Sequence, residues 1–159
     1  MGLGLALVNQ IHIREARFSD PDVQKLVSEA MAELSARYGG SGDDTPLTLT
    51  DFDPPAGRFF VAADGDQLIG CAGWRAHGPD AELKRMFTAE PARGRGVARR
   101  LLAAIEESAR ADGRERVILE TGDKQPEAIA LYVSCGYQRI PDFGYYKDST
   151  GVLSYARTL

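Results

Sequence analysis

The sequence predicts a single α/β (α+β) domain: a mixed central sheet of about six to seven strands flanked by about four helices. Three observations carry this. Strand-like segments at residues 58–63, 67–75 and 82–88 follow one another through the tight turns Asp64-Gly65-Asp66 and Gly78-Pro79, so three antiparallel strands follow naturally. Val97, Ala98, Leu101, Leu102, Ile105 and Ala109 recur at three- and four-residue steps, one face of a helix. Residues 82–121 then form a strand–helix–strand unit of crossover length, which calls for one parallel pair. A chain of 159 residues suits one domain and buries roughly 70% of its unfolded surface without disulfides or metal.

The elements follow in order. IHIREA at residues 11–16 alternates like a strand. Asp20-Pro21 then supplies a cap and a proline for the first helical position. Val23, Leu26, Val27, Ala30, Met31 and Leu34 line one face of that helix, and Gly39-Gly40 stops it. Residues 43–55 (DDTPLTLTDFDPP) are polar, acidic and proline-bearing, a loop with room for one short helix. The long helix is expected over residues 94–112, with Gly113 as its stop. RVILET at residues 116–121 has the composition of a buried strand, and Pro126 opens a helix that Gly136 ends. Residues 137–140 and 152–159 complete the strands.

Composition excludes several function classes. Nineteen Lys and Arg against 23 Asp and Glu give a net charge of −4, unlike a general nucleic-acid binder. No apolar run approaches the 18 residues of a membrane span. Two cysteines, Cys71 and Cys135, and two histidines, His12 and His77, are too few for a disulfide framework or a usual zinc site. Both cysteines lie in apolar segments and are expected to be reduced core residues. Residues 1–10 are apolar but lack the basic start of a signal peptide. They are expected to form an N-terminal extension to a domain spanning 11–159, in a cytoplasmic protein.

The informative stretch is Arg93-Gly94-Arg95-Gly96-Val97-Ala98, between a predicted strand and the long helix. Glycines there let backbone N–H groups approach a ligand, and the helix start adds partial positive charge. That arrangement suits a phosphate or pyrophosphate, and Arg93, Arg95, Arg99 and Arg100 add cations. A tight turn with solvated arginines would look the same. No Lys-Ser/Thr follows, so the P-loop pattern fails.

This segment resembles the acetyl-CoA signature of the GNAT acyltransferase superfamily, (Arg/Gln)-x-x-Gly-x-(Gly/Ala), as Arg93-x-x-Gly96-x-Ala98. The resemblance extends on both sides. ELKRMFTAEPARGRGVARRLL is similar to the family's fourth strand, loop and third helix. VILET and QPEAIALYVSCGY are similar to its fifth strand and following helix, with the Leu-Tyr-x-x-x-Gly-Tyr ending. From about Ile11 the order of elements fits too. Ala98 stands where glycine is commoner and Thr88 where valine is frequent.

The resemblance implies splayed fourth and fifth strands and acetyl-CoA as acyl donor, with no metal. Backbone groups of Met86, Phe87 and Thr88 would pair with the pantetheine arm. Arg93 carries the signature, and the amides of Gly94, Arg95, Gly96, Val97, Ala98 and Arg99 would hold the pyrophosphate. Gln125 falls where the family often has a cofactor-touching Asn, although it also suits a helix start. Tyr132 resembles the family's general acid, a neutral phenol beside a departing thiolate; periodicity alone makes it a core aromatic. Two carboxylates are candidates for the base. Glu120 lies in an otherwise apolar strand, where burial would raise its pKa; it could equally bond a loop. Glu82 matches another place where relatives carry a catalytic glutamate, and it could equally pair with Lys84 or Arg85.

Activity and partners follow the same resemblance: acetyl transfer to a small-molecule or protein amine in a ternary complex, with a homodimer plausible for such a chain. The alternative is a non-catalytic acyl-CoA sensor. Residues expected at the acceptor end are Tyr38, Asp43, Asp44, Asp51, Phe52, Asp53, His77, Phe143, Tyr145 and Tyr146. Their acidic and aromatic character suits a cationic amine.

Overall fold

Sequence alternation becomes two packed faces in the computed structural model, which describes residues 10–159. The expected N-terminal extension lies outside the described residues, Gln10 apart. The elements are β1 (Ile11–Glu15), α1 (Pro21–Tyr38), β2 (Gly57–Asp64), β3 (Gln67–His77), β4 (Asp80–Thr88), a 3-10 turn (Glu90–Ala92), α2 (Val97–Ala111), β5 (Arg116–Gly122), α3 (Pro126–Ser134), β6 (Gln138–Arg139) and β7 (Val152–Thr158). The seven strands form one sheet in the order β1-β2-β3-β4-β5-β7-β6. Among the described residues only the β4–β5 pair is parallel, as the crossover through α2 requires.

Alternate residues of the central strands serve opposite cores. Phe59, Val61 and Cys71 pack with Val23, Leu26 and Val27 of α1. Ala62, Ala72, Trp74 and Leu83 pack with Val97, Leu101, Leu102, Ile105 and Ala109 of α2. Trp74 is fully buried, a core residue, and its indole N–H donates to Ser108 Oγ at 2.9 Å. Cys71 is buried, Cys135 half-buried, and both are free thiols. Burial pushes the Cys71 thiol up to about 12, which leaves it protonated and unsuited to carrying an acyl group.

The expected count of about four helices is met among the described residues by three α-helices and a 3-10 turn; three details depart from the sequence reading. The loop at 43–55 stays non-helical because its side chains compete for the backbone: Asp51 accepts from Thr48 N at 3.1 Å and Thr48 Oγ1 at 2.6 Å. Pro54 and Pro55 also remove two donors. Helix α2 starts at Val97 rather than residue 94, since Gly94 and Gly96 take left-handed φ of 82° and 77°. The strand expected at 137–140 keeps only two ladder residues, Gln138 and Arg139.

Gly73 lies against the aromatic cluster under α1. A Cβ there would stand 2.5 Å from Phe59 Cδ2 and 2.8 Å from Phe52 Cδ1. Gly73→Ala is therefore expected to destabilise the fold by about 1–3 kcal/mol through overpacking, measured by urea denaturation.

Candidate active site

The site begins where β4 and β5 part. They share only two registered pairs, Ala81 with Val117 and Glu82 with Ile118. Just beyond, the β3–β4 register shifts between Cys71 and Gly73. There Ala72 faces both Arg85 and Met86, a β-bulge. Arg85 sits at its apex with a left-handed φ of 59°, uncommon for a residue with a side chain. The bulged strand bends away from β5. The gap opens into a cavity of about 830 Å³, walled by residues 83–88 of β4 and 119–122 of β5, with α1, the start of α2 and α3 around it.

Most expected donor-binding residues meet at this cavity. Met86, Phe87, Thr88, Arg93, Gly94, Gly96, Val97, Ala98, Arg99 and Gln125 all line it. Arg95 does not; its guanidinium pairs with Asp64 at 3.2 Å. The first N–H groups of α2 have no carbonyl one turn back and no side-chain cap, and Arg100 N is the first to bond the turn, to Gly96 O at 3.1 Å. The arginines around this turn are engaged. Arg93 Nε donates to Thr88 O at 3.0 Å, and Arg99 donates to Ser134 Oγ at 2.9 Å and Cys135 Sγ at 3.3 Å. Gln125 stands at the N-cap position of α3 and lines the cavity.

Tyr132 and Glu120 lie on the same cavity wall system, from α3 and β5. Tyr132 is 6% exposed and packs on Tyr137 at 5.7 Å between ring centroids. Burial pushes its phenol well above the ordinary value of 10.0, so it stays protonated. Glu120 is half-buried. Burial raises its carboxyl, an effect partly offset by the Tyr146 N–H at 3.0 Å and by the charge of Lys84. Its Oε1 is buried without a hydrogen-bond partner among the described residues. Glu82 is placed differently. It is 2% exposed, does not line the cavity, and accepts from Arg75 Nε at 3.0 Å rather than pairing with Lys84 or Arg85.

Of the expected acceptor-end residues, Tyr38, Asp43, Asp44 and Tyr146 line the cavity; Asp51, Phe52, Asp53, His77, Phe143 and Tyr145 do not. Phe52 is core, and His77 packs on Phe143. The sequence reading missed Lys84 and Arg85 as cavity residues. Their signal was two consecutive cations inside a strand. Both reach Asp43: Lys84 at 3.3 Å and Arg85 through Nη1. Burial alone would raise the Asp43 carboxyl, but the two cations and the Thr45 hydrogen bonds hold it well below the ordinary carboxylate range.

The sequence profile of the Acetyltransferase (GNAT) family matches residues 24–137. The chain belongs to this family. It is 37% identical over 135 residues to an "IAA acetyltransferase" of Azospirillum brasilense, an alignment covering 84% of this chain and 87% of that one. It is 37% identical over 144 residues to the "Uncharacterized N-acetyltransferase YsnE" of Bacillus subtilis, covering 87% and 93%. The fold matches a GNAT acetyltransferase from Elizabethkingia anophelis solved with acetyl-CoA bound, at a TM-score of 0.69 and 17% identity over 95% of this chain and 99% of that one. The protein is an acetyl-CoA-dependent N-acetyltransferase.

The GNAT residues present fit that donor. Thr88 Oγ1 is buried without a partner in the β4 wall, and an added Cβ at Gly94 or Gly96 would meet nothing within 4 Å. Backbone polar groups can thus face a ligand directly. Among the described residues no group of three or more His, Cys, Asp or Glu could hold a metal ion.

Asp43→Asn leaves Lys84 and Arg85, whose side chains are 5% and 7% exposed, without their counter-charge. A loss of about 3 kcal/mol is expected at pH 7, read by urea denaturation. The native Asp43 carboxyl titrates below its ordinary value of 3.8. Its stabilisation is therefore fully present above that value and fades as pH falls through the lower folded one. The gap between the two proteins should narrow only under that acidification.

Proposed function

We propose that the enzyme moves the acetyl group of acetyl-CoA to a primary amine by direct attack in a ternary complex, with Tyr132 as acid and Glu120 as base. One observation carries the reading: the cavity between β4 and β5 presents a buried neutral phenol and a carboxyl with one unpartnered oxygen. Acetyl-CoA supplies the activated thioester. Residues 86–88 offer an open strand edge to its pantetheine arm, and the free N–H groups at the start of α2 suit its pyrophosphate. A backbone N–H of β4 stabilises the developing oxyanion.

Glu120 takes a proton from the bound ammonium, directly or through water, so that the neutral amine attacks, and its raised carboxyl suits that task. Tyr132 gives its Oη proton to the departing thiolate and is reprotonated by the second proton that the nitrogen sheds as the amide forms. Glu82, tied to Arg75 outside the cavity lining, serves in this reading to brace the strand pair. Location in the cytoplasm and assembly as a homodimer complete the proposal, supported by the family resemblance and by two free thiols.

Tyr132→Phe is expected to lower kcat by about 10²- to 10⁴-fold while the acetyl-CoA Kd, measured by calorimetry, stays close to native. An unchanged kcat would remove the acid assignment. The base must be deprotonated to act, so kcat/KM should rise with pH through a pKa above 4.5, the ordinary value for this glutamate. Glu120→Gln should abolish that limb of the profile; its survival would assign it to another group.

A further inference from the structure

Asp43, expected from the sequence to receive a cationic amine, has no capacity left for one. Its Oδ1 accepts from Thr45 N at 3.0 Å, Thr45 Oγ1 at 2.6 Å and Tyr146 OH at 2.9 Å. Its Oδ2 takes both Lys84 and Arg85. A regular strand would send these two consecutive side chains to opposite faces. The bulge at Arg85 brings them onto one carboxylate instead. Two buried cations thus share the one carboxylate they touch. Arg85 Nε is buried and has no hydrogen-bond partner among the described residues, although a guanidinium presents a fork suited to carboxylates. Glu120 lines the β5 side of the same cavity; its Oε2 is bonded by Tyr146 N, and its Oε1, packed near Gly144, is a buried acceptor without a partner among the described residues.

We propose that the acceptor is an amino acid, whose amine is met by Glu120 and whose carboxylate is met by Arg85 and Lys84. This rests on the transferase reading and names its substrate class. One unpaired donor and one unpaired acceptor complement a molecule carrying both charges. A polyamine would leave the Arg85 donor unmatched. Tyr146 joins the two halves, with its hydroxyl on Asp43 and its N–H on Glu120, so the carboxylate and amine subsites are held in fixed relation. Asp44 also lines this end; its Oδ1 accepts from the Ser41 hydroxyl, and its backbone N–H donates to the Tyr146 hydroxyl at 2.6 Å.

The test first establishes acetyl-CoA binding by calorimetry. It then compares kcat/KM across matched sets of acceptors: free amino acids of varied side chain and amine position, their carboxamides, their decarboxylated amines, and α,ω-diamines. For the best amino acid, a preference of about 100-fold over its carboxamide and its decarboxylated amine is expected. Arg85→Gln should bring that ratio close to one, and Arg85→Lys should restore part of it. Far-UV circular dichroism and Tm report whether each variant folds; if Arg85→Gln does not, the native ratios and Arg85→Lys carry the test. An enzyme that binds acetyl-CoA but acetylates amides, amines or diamines as well as amino acids, or acetylates no amino acid, overturns the inference and leaves the cofactor assignment standing. Failure to bind acetyl-CoA overturns the transferase reading and this inference together.

Discussion

The parting of β4 and β5 is the constraint on which the other features depend. Parallel strands at the centre of a sheet normally pair along their length and bury their backbone groups in the ladder. Here pairing stops after Glu82 and Ile118, because the bulge at Arg85 turns the rest of β4 away. Backbone that would have been consumed by β5 is left facing a cavity. The same divergence gives α2 and α3 a space to point into, and so places a helix start and Tyr132 on the walls of one site.

Asp43 is the second organising point. A carboxylate in the loop after α1 neutralises two cations from β4 and bonds a tyrosine from the segment between β6 and β7. Three stretches far apart in sequence are thereby fixed around the acceptor end. The arrangement costs desolvation and a left-handed Arg85, which is tolerable where surrounding packing over-determines it. Its chemical consequence is that the acidic loop is internally satisfied. The site therefore offers donors as well as an acceptor, a different recognition surface from the one its composition suggests.

Local pattern carried much of the fold. The α2 stripe, the hairpin turns, the parallel crossover and the stops at Gly113 and Gly136 all follow from periodicity and backbone preference. Boundaries were less legible where side chains compete with the backbone, as at Thr48 and Asp51, or where glycines stay left-handed ahead of a helix. The glycine-rich turn ahead of α2 could be read because it is contiguous: a single run of residues supplies the turn and the helix start. The ion pair of the Arg95 side chain could not, since its partner Asp64 lies at the far end of β2.

The sequence by itself determined the elements, their order and the family signature, because each depends on neighbours within a turn or a strand. Tertiary structure alone decided the rest: that Glu82 binds Arg75, that Lys84 and Arg85 converge on Asp43, and that only four of the ten expected acceptor residues reach the cavity. Glu82 meets Arg75 across the β3–β4 pair, and the Asp43 cluster depends on a bulge and on contacts between residues some forty to a hundred positions apart. Charge pairing of that kind is set by three-dimensional distance and shared burial, which no local pattern encodes.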